Sequence, residues 1–158
     1  MPVEIERKFL VKDDSWQENA PRKLYYQGYL DRRNGPTVRV RRIEDRAFLT
    51  IKGAAKGFAC MEYEYEIPVT EGQELLDSLC QQPLIEKYRY LVNFAGMIWE
   101  VDFFLNENNP LVVAEIELES VEQQFEKPPW LGEEVTGDFR YSNSFLSAAP
   151  YSTWKMEV

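Results

Sequence analysis

The chain has 158 residues with a net charge of −9, and 44% of its residues are hydrophobic, enough for one globular domain over residues 1–158 with a substantial core. The acidic balance argues against nucleic-acid binding, which needs a basic surface. The absence of histidine excludes Ser-His-Asp and Cys-His catalysis and His-ligated zinc, leaving carboxylates, Lys, Arg, Tyr or a hard metal to carry any chemistry.

The first predicted strand, 3–11, places Glu4, Glu6 and Lys8 on one face and Ile5 and Phe9 on the other, because strand side chains alternate. Two carboxylates roughly 7 Å apart repel by about 0.6 kcal/mol in water and about 2.4 kcal/mol at an effective dielectric near 20. A cation between them reverses that sign, so the run reads as half of a metal site. A partly helical stretch follows at 13–20, then strands at 24–31, 37–43, 47–52 and 60–69, with a turn at 34–36 and a flexible loop at 53–57. Thr70 and Gln73 resemble a capping box opening a helix over 70–81, with Leu75, Leu76 and Leu79 as its apolar stripe. Strands at 85–94 and 97–105 flank an Ala95-Gly96 hairpin turn, and 111–119 is the eighth strand. Residues 128–132 read as a loop and 142–149 as a short helix. Cys60 and Cys80 are too few for a disulfide framework or a zinc cluster. Charges begin at Glu4 and no long apolar run occurs, so neither a signal peptide nor a membrane span is expected and the setting is cytoplasmic.

Charge is segregated by sign along these strands. Arg39 and Arg41 share a face, as do Lys87 and Arg89, and Lys52 faces the same way as Thr50. Glu62, Glu64 and Glu66 form an acidic block, followed by Glu100 with Asp102 and by Glu115, Glu117 and Glu119. A solvated antiparallel sheet mixes its polar residues, whereas blocks of like charge cost stability unless opposite blocks or ligands face them. Closing the sheet with the charged face inward meets that need. The predicted fold is therefore mainly β with flanking helices: an eight-stranded antiparallel closed β-barrel, or tunnel, with a charged interior. Its apolar exterior is expected to be covered by the helices carrying Leu75, Leu79, Phe145 and Leu146. The basic residues suit a compact polyanion, Arg as a fork and Lys as a point charge. The carboxylates suit Mg²⁺ or Mn²⁺. The segment 53–57 lacks the spacing of a phosphate-binding Walker loop.

Glu4-Ile-Glu-Arg-Lys8 resembles the ExExK signature of the CYTH superfamily, the triphosphate tunnel metalloenzymes. The likeness continues through Val38-Arg-Val-Arg41, Thr50-Ile-Lys52, Glu62-Tyr-Glu64, Glu86-Lys-Tyr-Arg89, Trp99-Glu-Val-Asp102, Ala114-Glu-Ile-Glu117 and Gly132-Glu-Glu-Val-Thr136. It is greatest to single-domain bacterial inorganic triphosphatases. The resemblance implies a metal-dependent hydrolase cleaving the terminal phosphoanhydride of a small-molecule triphosphate, most simply inorganic triphosphate to pyrophosphate and phosphate. It assigns Glu4, Glu6, Glu62, Glu64, Asp102, Glu115 and Glu117 to metal. Lys8, Arg39, Arg41, Lys52, Lys87, Arg89 and Arg140 go to substrate, with Glu4, Glu6, Lys8, Glu62 and Glu64 as the catalytic set. Arg140 either closes the tunnel or lies on the surface. Tyr29 is a wall residue or a donor to phosphate. Cys60 and Glu133 depart from the family pattern, where Arg and Lys are common. A class IV-type adenylyl cyclase and a non-catalytic polyphosphate-binding module use the same wall residues and remain alternatives. No nucleic acid or membrane is expected as a partner, and a homodimer is compatible with the chain.

Overall fold

A computed structural model describes residues 3–30, 36–53 and 59–154. The strands are β1 (Val3–Val11), β2 (Arg22–Tyr29), β3 (Thr37–Ile43), β4 (Arg46–Lys52), β5 (Ala59–Ile67), β6 (Ile85–Phe94), β7 (Met97–Phe104), β8 (Val112–Glu117) and β9 (Leu131–Glu134). Helix α1 (Val69–Ser78) follows β5, and α2 (Asn143–Ala148) follows β9. Asn34 and Gly35 of the expected turn, and residues 54–57 of the expected loop, lie outside the described residues.

Neighbouring strands run in the order β5-β4-β3-β2-β6-β7-β8-β1, every pair antiparallel, and β1 returns to β5 through Val3↔Met61, Glu4↔Cys60 and Ile5↔Ala59. That last pairing closes an eight-stranded barrel and removes its free edges. The ninth strand corrects the expected loop at 128–132. Beyond Ile5, β5 no longer pairs with β1; β9 takes its place, with Phe9 opposite Glu134 and Val11 opposite Leu131. It also places Val135 N–H on the Lys8 carbonyl at 2.8 Å. A segment of four residues cannot announce itself by alternation; it is a strand because β1 offers unpaired backbone groups there. The β6–β7 hairpin turns at Ala95 and Gly96, whose φ values of 52° and 79° match the left-handed requirement of a tight hairpin turn.

Helix α1 begins two residues earlier than the capping box requires. Pro68 occupies the N-cap position, so Thr70 lies inside the first turn and caps nothing. Gln73 is engaged elsewhere, accepting from Arg42 at 2.7 Å and donating to Asp77 at 3.0 Å. The helix covers the outside of β3 and β4, packing Leu76 and Cys80 with Val40. It comes so close that a Cβ on Gly72 would stand 2.4 Å from the Ala47 Cβ.

The second helix does not cover the exterior as expected. Leu146 of α2 packs with Ile85, Phe104, Leu111 and Val113. By the two-residue repeat, Ile85 shares a face with Lys87, Phe104 with Asp102, and Val113 with Glu115. The inward face thus changes from charged to apolar along the strands, and α2 stoppers the apolar end. On the outside, loops take over the covering: Trp16, Phe125 and Trp130 pack around Phe9 and Trp99. Trp99 meets Phe9 at 5.7 Å and Trp130 at 5.8 Å, both edge-to-face.

Candidate active site

Inward positions on consecutive strands converge on a cavity of about 370 Å³. Strand β1 contributes Glu4, Glu6 and Lys8, β3 Thr37, Arg39 and Arg41, β4 Thr50 and Lys52, and β5 Glu62 and Glu64. Tyr29, Arg89, Glu100, Glu115 and Glu117 complete the strand wall, with Ser142, Asn143 and Ser144 from the start of α2. A second cavity of about 260 Å³ adjoins the first at Glu6, Lys8, Lys52 and Ser142, and reaches Cys60 and Phe139. Thr37, Thr50 and Glu100 could be placed from the sequence by the same period-two rule. The Ser-Asn-Ser lining could not, because it enters from a helix start rather than a strand.

Acidic and basic walls meet across this space. Lys52 Nζ lies 2.8 Å from Glu4 and 3.8 Å from Glu62, and Lys8 Nζ lies 3.4 Å from Glu115. Arg39 donates to Thr50 Oγ1 at 3.1 Å, and that hydroxyl donates onward to Glu64 at 3.3 Å. Arg41 donates through Nε to Gln27 Oε1 at 3.3 Å, and Gln27 donates to the Tyr29 hydroxyl. Among the described residues that line the cavity, two polar atoms are buried without a hydrogen-bond partner, Arg39 Nε and Glu62 Oε1.

The acidic wall is strained electrostatically. Glu6 stands opposite Glu117, and Glu100 opposite Glu115, in the strand registers. Burial, together with Glu115 and Glu4, pushes the Glu6 carboxyl up to about 8. Burial raises Glu62, Glu100 and Glu117 as well. Burial also works against ionisation of Glu4, but Lys52 outweighs it and holds that carboxyl below its ordinary value.

Three of the residues assigned from the sequence lie off the cavity wall. Asp102 is 1% exposed and accepts from Lys87 Nζ at 2.8 Å and from Arg89 at 2.7 and 2.9 Å. Burial favours its neutral form, yet Arg89 and Lys87 hold the carboxyl well below the usual range. Lys87 is itself fully buried and donates to Asn143 Oδ1 at 2.9 Å. Its burial brings the ammonium down to about 7, with Arg89 and Arg41 acting in the same direction and Asp102 against it. Arg140 lies outside, half exposed, paired with Asp138 at 2.6 Å and 5.5 Å from the Tyr141 ring centre.

Among the described residues, no three acidic or thiol side chains form a ready-made ion cage. The donor set nevertheless fits a hard divalent cation. It is all oxygen, carries like charges at opposed positions, and leaves Glu62 Oε1, 3.8 Å from Lys52 Nζ, without a hydrogen-bond donor. Mg²⁺ is ordinarily held by one or two carboxylates with substrate phosphates and water rather than by a protein cage.

A closed antiparallel barrel with carboxylates and cations facing each other inside defines a tunnel protein built for a polyanion and a metal. The chain belongs to the CYTH domain family, whose model matches residues 2–144. It is 50% identical over 155 residues to the inorganic triphosphatase of Acetivibrio thermocellus, covering 98% of this chain and 99% of that protein. It is 38% identical over 154 residues to the inorganic triphosphatase of Nitrosomonas europaea, with 92% and 97% covered. The solved structure of the inorganic triphosphatase NE1496 superimposes with a TM-score of 0.68 at 35% identity, covering 90% of this chain and 96% of that one.

Proposed function

We propose that this chain is a metal-dependent inorganic triphosphatase, acting as one unit and cleaving inorganic triphosphate to pyrophosphate and phosphate. The observation that carries this reading is the cavity in which Lys8, Arg39, Arg41, Lys52 and Arg89 face Glu4, Glu6, Glu62, Glu64, Glu115 and Glu117. The near full-length likeness to two inorganic triphosphatases supports it. No helix among the described residues is long and apolar enough to cross a membrane, in keeping with the proposed cytoplasmic setting.

The five cations bind the phosphoryl oxygens, with Arg39 offering a buried Nε–H that no group of the described residues accepts. Lys87 and Asp102 act from behind the wall by fixing the Arg89 fork. Carboxylates Glu4, Glu6, Glu62, Glu64, Glu115 and Glu117 would hold Mg²⁺ or Mn²⁺, which supplies neutralisation of the charge on the phosphoryl oxygens. A water attacks the terminal phosphorus in line, its oxygen forming the new P–O bond as the bond to the bridging oxygen breaks and pyrophosphate leaves. Glu62, a carboxyl whose proton affinity burial and the neighbouring Glu4 have raised, accepts the proton of that water. Positioning and charge neutralisation supply most of the rate, and no covalent intermediate is needed.

The test is phosphate release from inorganic tripolyphosphate, ATP and thiamine triphosphate with Mg²⁺ or Mn²⁺, before and after chelation. Tripolyphosphate should be the best substrate, chelation should abolish turnover, and ATP should yield no cyclic AMP. Tight binding with no turnover of any triphosphate would overturn the proposal.

A further inference from the structure

Two cations of the tunnel wall, Arg41 and Arg89, and the buried Lys87 beside them share one aromatic ring. The Arg41 and Arg89 guanidinium carbons each lie 5.0 Å from the centre of the Tyr25 ring, and Lys87 Nζ lies 5.9 Å from it. Tyr25 does not line the cavity; it is half-buried on β2 between β3 and β6, on the same face of the strand as Gln27 and Tyr29. Asp102 pairs with Lys87 and Arg89, and Glu100 and Glu115 also pair with Arg89, whereas among the described residues no carboxylate lies within ion-pair distance of Arg41 and Glu100 acts on it only from further off. Arg41 is held by Gln27 Oε1 on one side and the Tyr25 ring on the other. Three positive groups so placed repel one another, and a ring presents its negative quadrupole to cations within about 6 Å.

We infer that Tyr25 is a positioning residue of the triphosphate clamp, its ring holding Arg41, Arg89 and Lys87 together so that two guanidinium forks are pre-set toward the cavity before the anion arrives. This rests on the proposed reading of the cavity as a triphosphate site. The role belongs to the ring and not to the hydroxyl. Phe104 adds a second ring 5.5 Å from Lys87 Nζ, but among the described residues Tyr25 is the one aromatic ring set against Arg41. A clamp residue acting equally on bound substrate and transition state changes KM and leaves kcat.

The experiment replaces Tyr25 by Phe, by Leu, and by phenylalanines of rising fluorine content, which keep the ring shape while draining its negative face. Binding of inorganic tripolyphosphate is measured calorimetrically without metal, beside KM and kcat with Mg²⁺. Y25F keeps the ring and should rescue affinity to within about twofold. Y25L should weaken binding and raise KM by about tenfold, a loss of the size such contacts carry, with kcat nearly unchanged. The fluorinated series should weaken binding stepwise at constant thermal stability. Equal affinity across that series, or a kcat loss without a KM change, would overturn the inference. Graded binding in a protein that hydrolyses no tripolyphosphate would uphold it while overturning the triphosphatase reading.

Discussion

Lys52 Nζ sits 2.8 Å from Glu4 Oε1, so a cation of the anion clamp is tied to a carboxylate of the metal wall. Lys8 and Glu115 repeat the relationship at 3.4 Å. The tunnel therefore pairs its own acidic and basic walls across its width. Triphosphate alone would take Lys52 and leave Glu4 unpaired, and a metal alone would do the reverse, whereas both together satisfy both walls. Tripolyphosphate and Mg²⁺ should consequently bind with positive coupling of about tenfold, a usual size for linked sites. In K52M the coupling should fall, although complexation of the metal by tripolyphosphate in solution is the same for both proteins. Titration of each ligand with and without the other measures it; equal coupling in K52M would contradict the exchange of partners.

Metal affinity should depend on pH through Glu6. Its folded-state carboxyl is raised to about 8, above the unfolded value, so the stability it contributes is fully present below about 4.5 and is lost as pH rises through about 8. The same proton must leave before the carboxylate can bind a cation. Apparent Mg²⁺ affinity should therefore rise between pH 6 and 8 by up to about tenfold per unit and level off above. Calorimetry in buffers of different ionisation enthalpy should detect the released proton, and E6Q should remove that part of the pH dependence.

Asp102 should behave as a structural anchor. D102N removes the carboxylate that Lys87 and Arg89 share, leaving Arg89 its pairs with Glu100 and Glu115 and Lys87 its bond to Asn143; losing one side of a buried pair costs about 3–5 kcal/mol. Urea unfolding should show that loss. Because the folded carboxyl is held well below its unfolded value, the stability it contributes is present at neutral pH. It should disappear as pH falls below about 4. A D102N protein as stable as wild type at pH 7 would show that the ion network is neutral to folding.

At the outer wall, G72A should destabilise in spite of favouring the helix. Alanine gains about 1 kcal/mol over glycine in a helix interior. The new Cβ would lie 2.4 Å from that of Ala47, both fixed to backbone, and overpacking costs about 1–3 kcal/mol. A net loss of up to about 2 kcal/mol is expected, read from the denaturation midpoint. The double change G72A with A47G should recover most of it.

Much of the site was legible in the sequence because its residues obey a local rule. Glu4, Glu6 and Lys8, Arg39 and Arg41, or Glu62 and Glu64 must share a face in any strand, whatever that strand packs against. Their segregation by sign already required an enclosed, neutralising environment, and the resemblance to a known family supplied which one. Residues that enter by other routes were not legible. Ser142, Asn143 and Ser144 reach the cavity from the start of α2, a helix too short to show a periodic pattern. Asp102 has the same parity as Glu100, yet one is buried under two cations and the other lines the cavity.

The amino-acid sequence by itself determined the eight alternating strands, the sign of charge on each inward face, and the exclusion of histidine-based chemistry, since all three follow from residue type and a two-residue period. Only the tertiary structure decided that β1 closes on β5 and then yields its edge to β9, that α2 stoppers the tunnel instead of covering its wall, and that Tyr25 gathers Arg41, Arg89 and Lys87. Those outcomes depend on which backbone edges remain unpaired and which side chains meet across distant strands, and a local period carries no information about either.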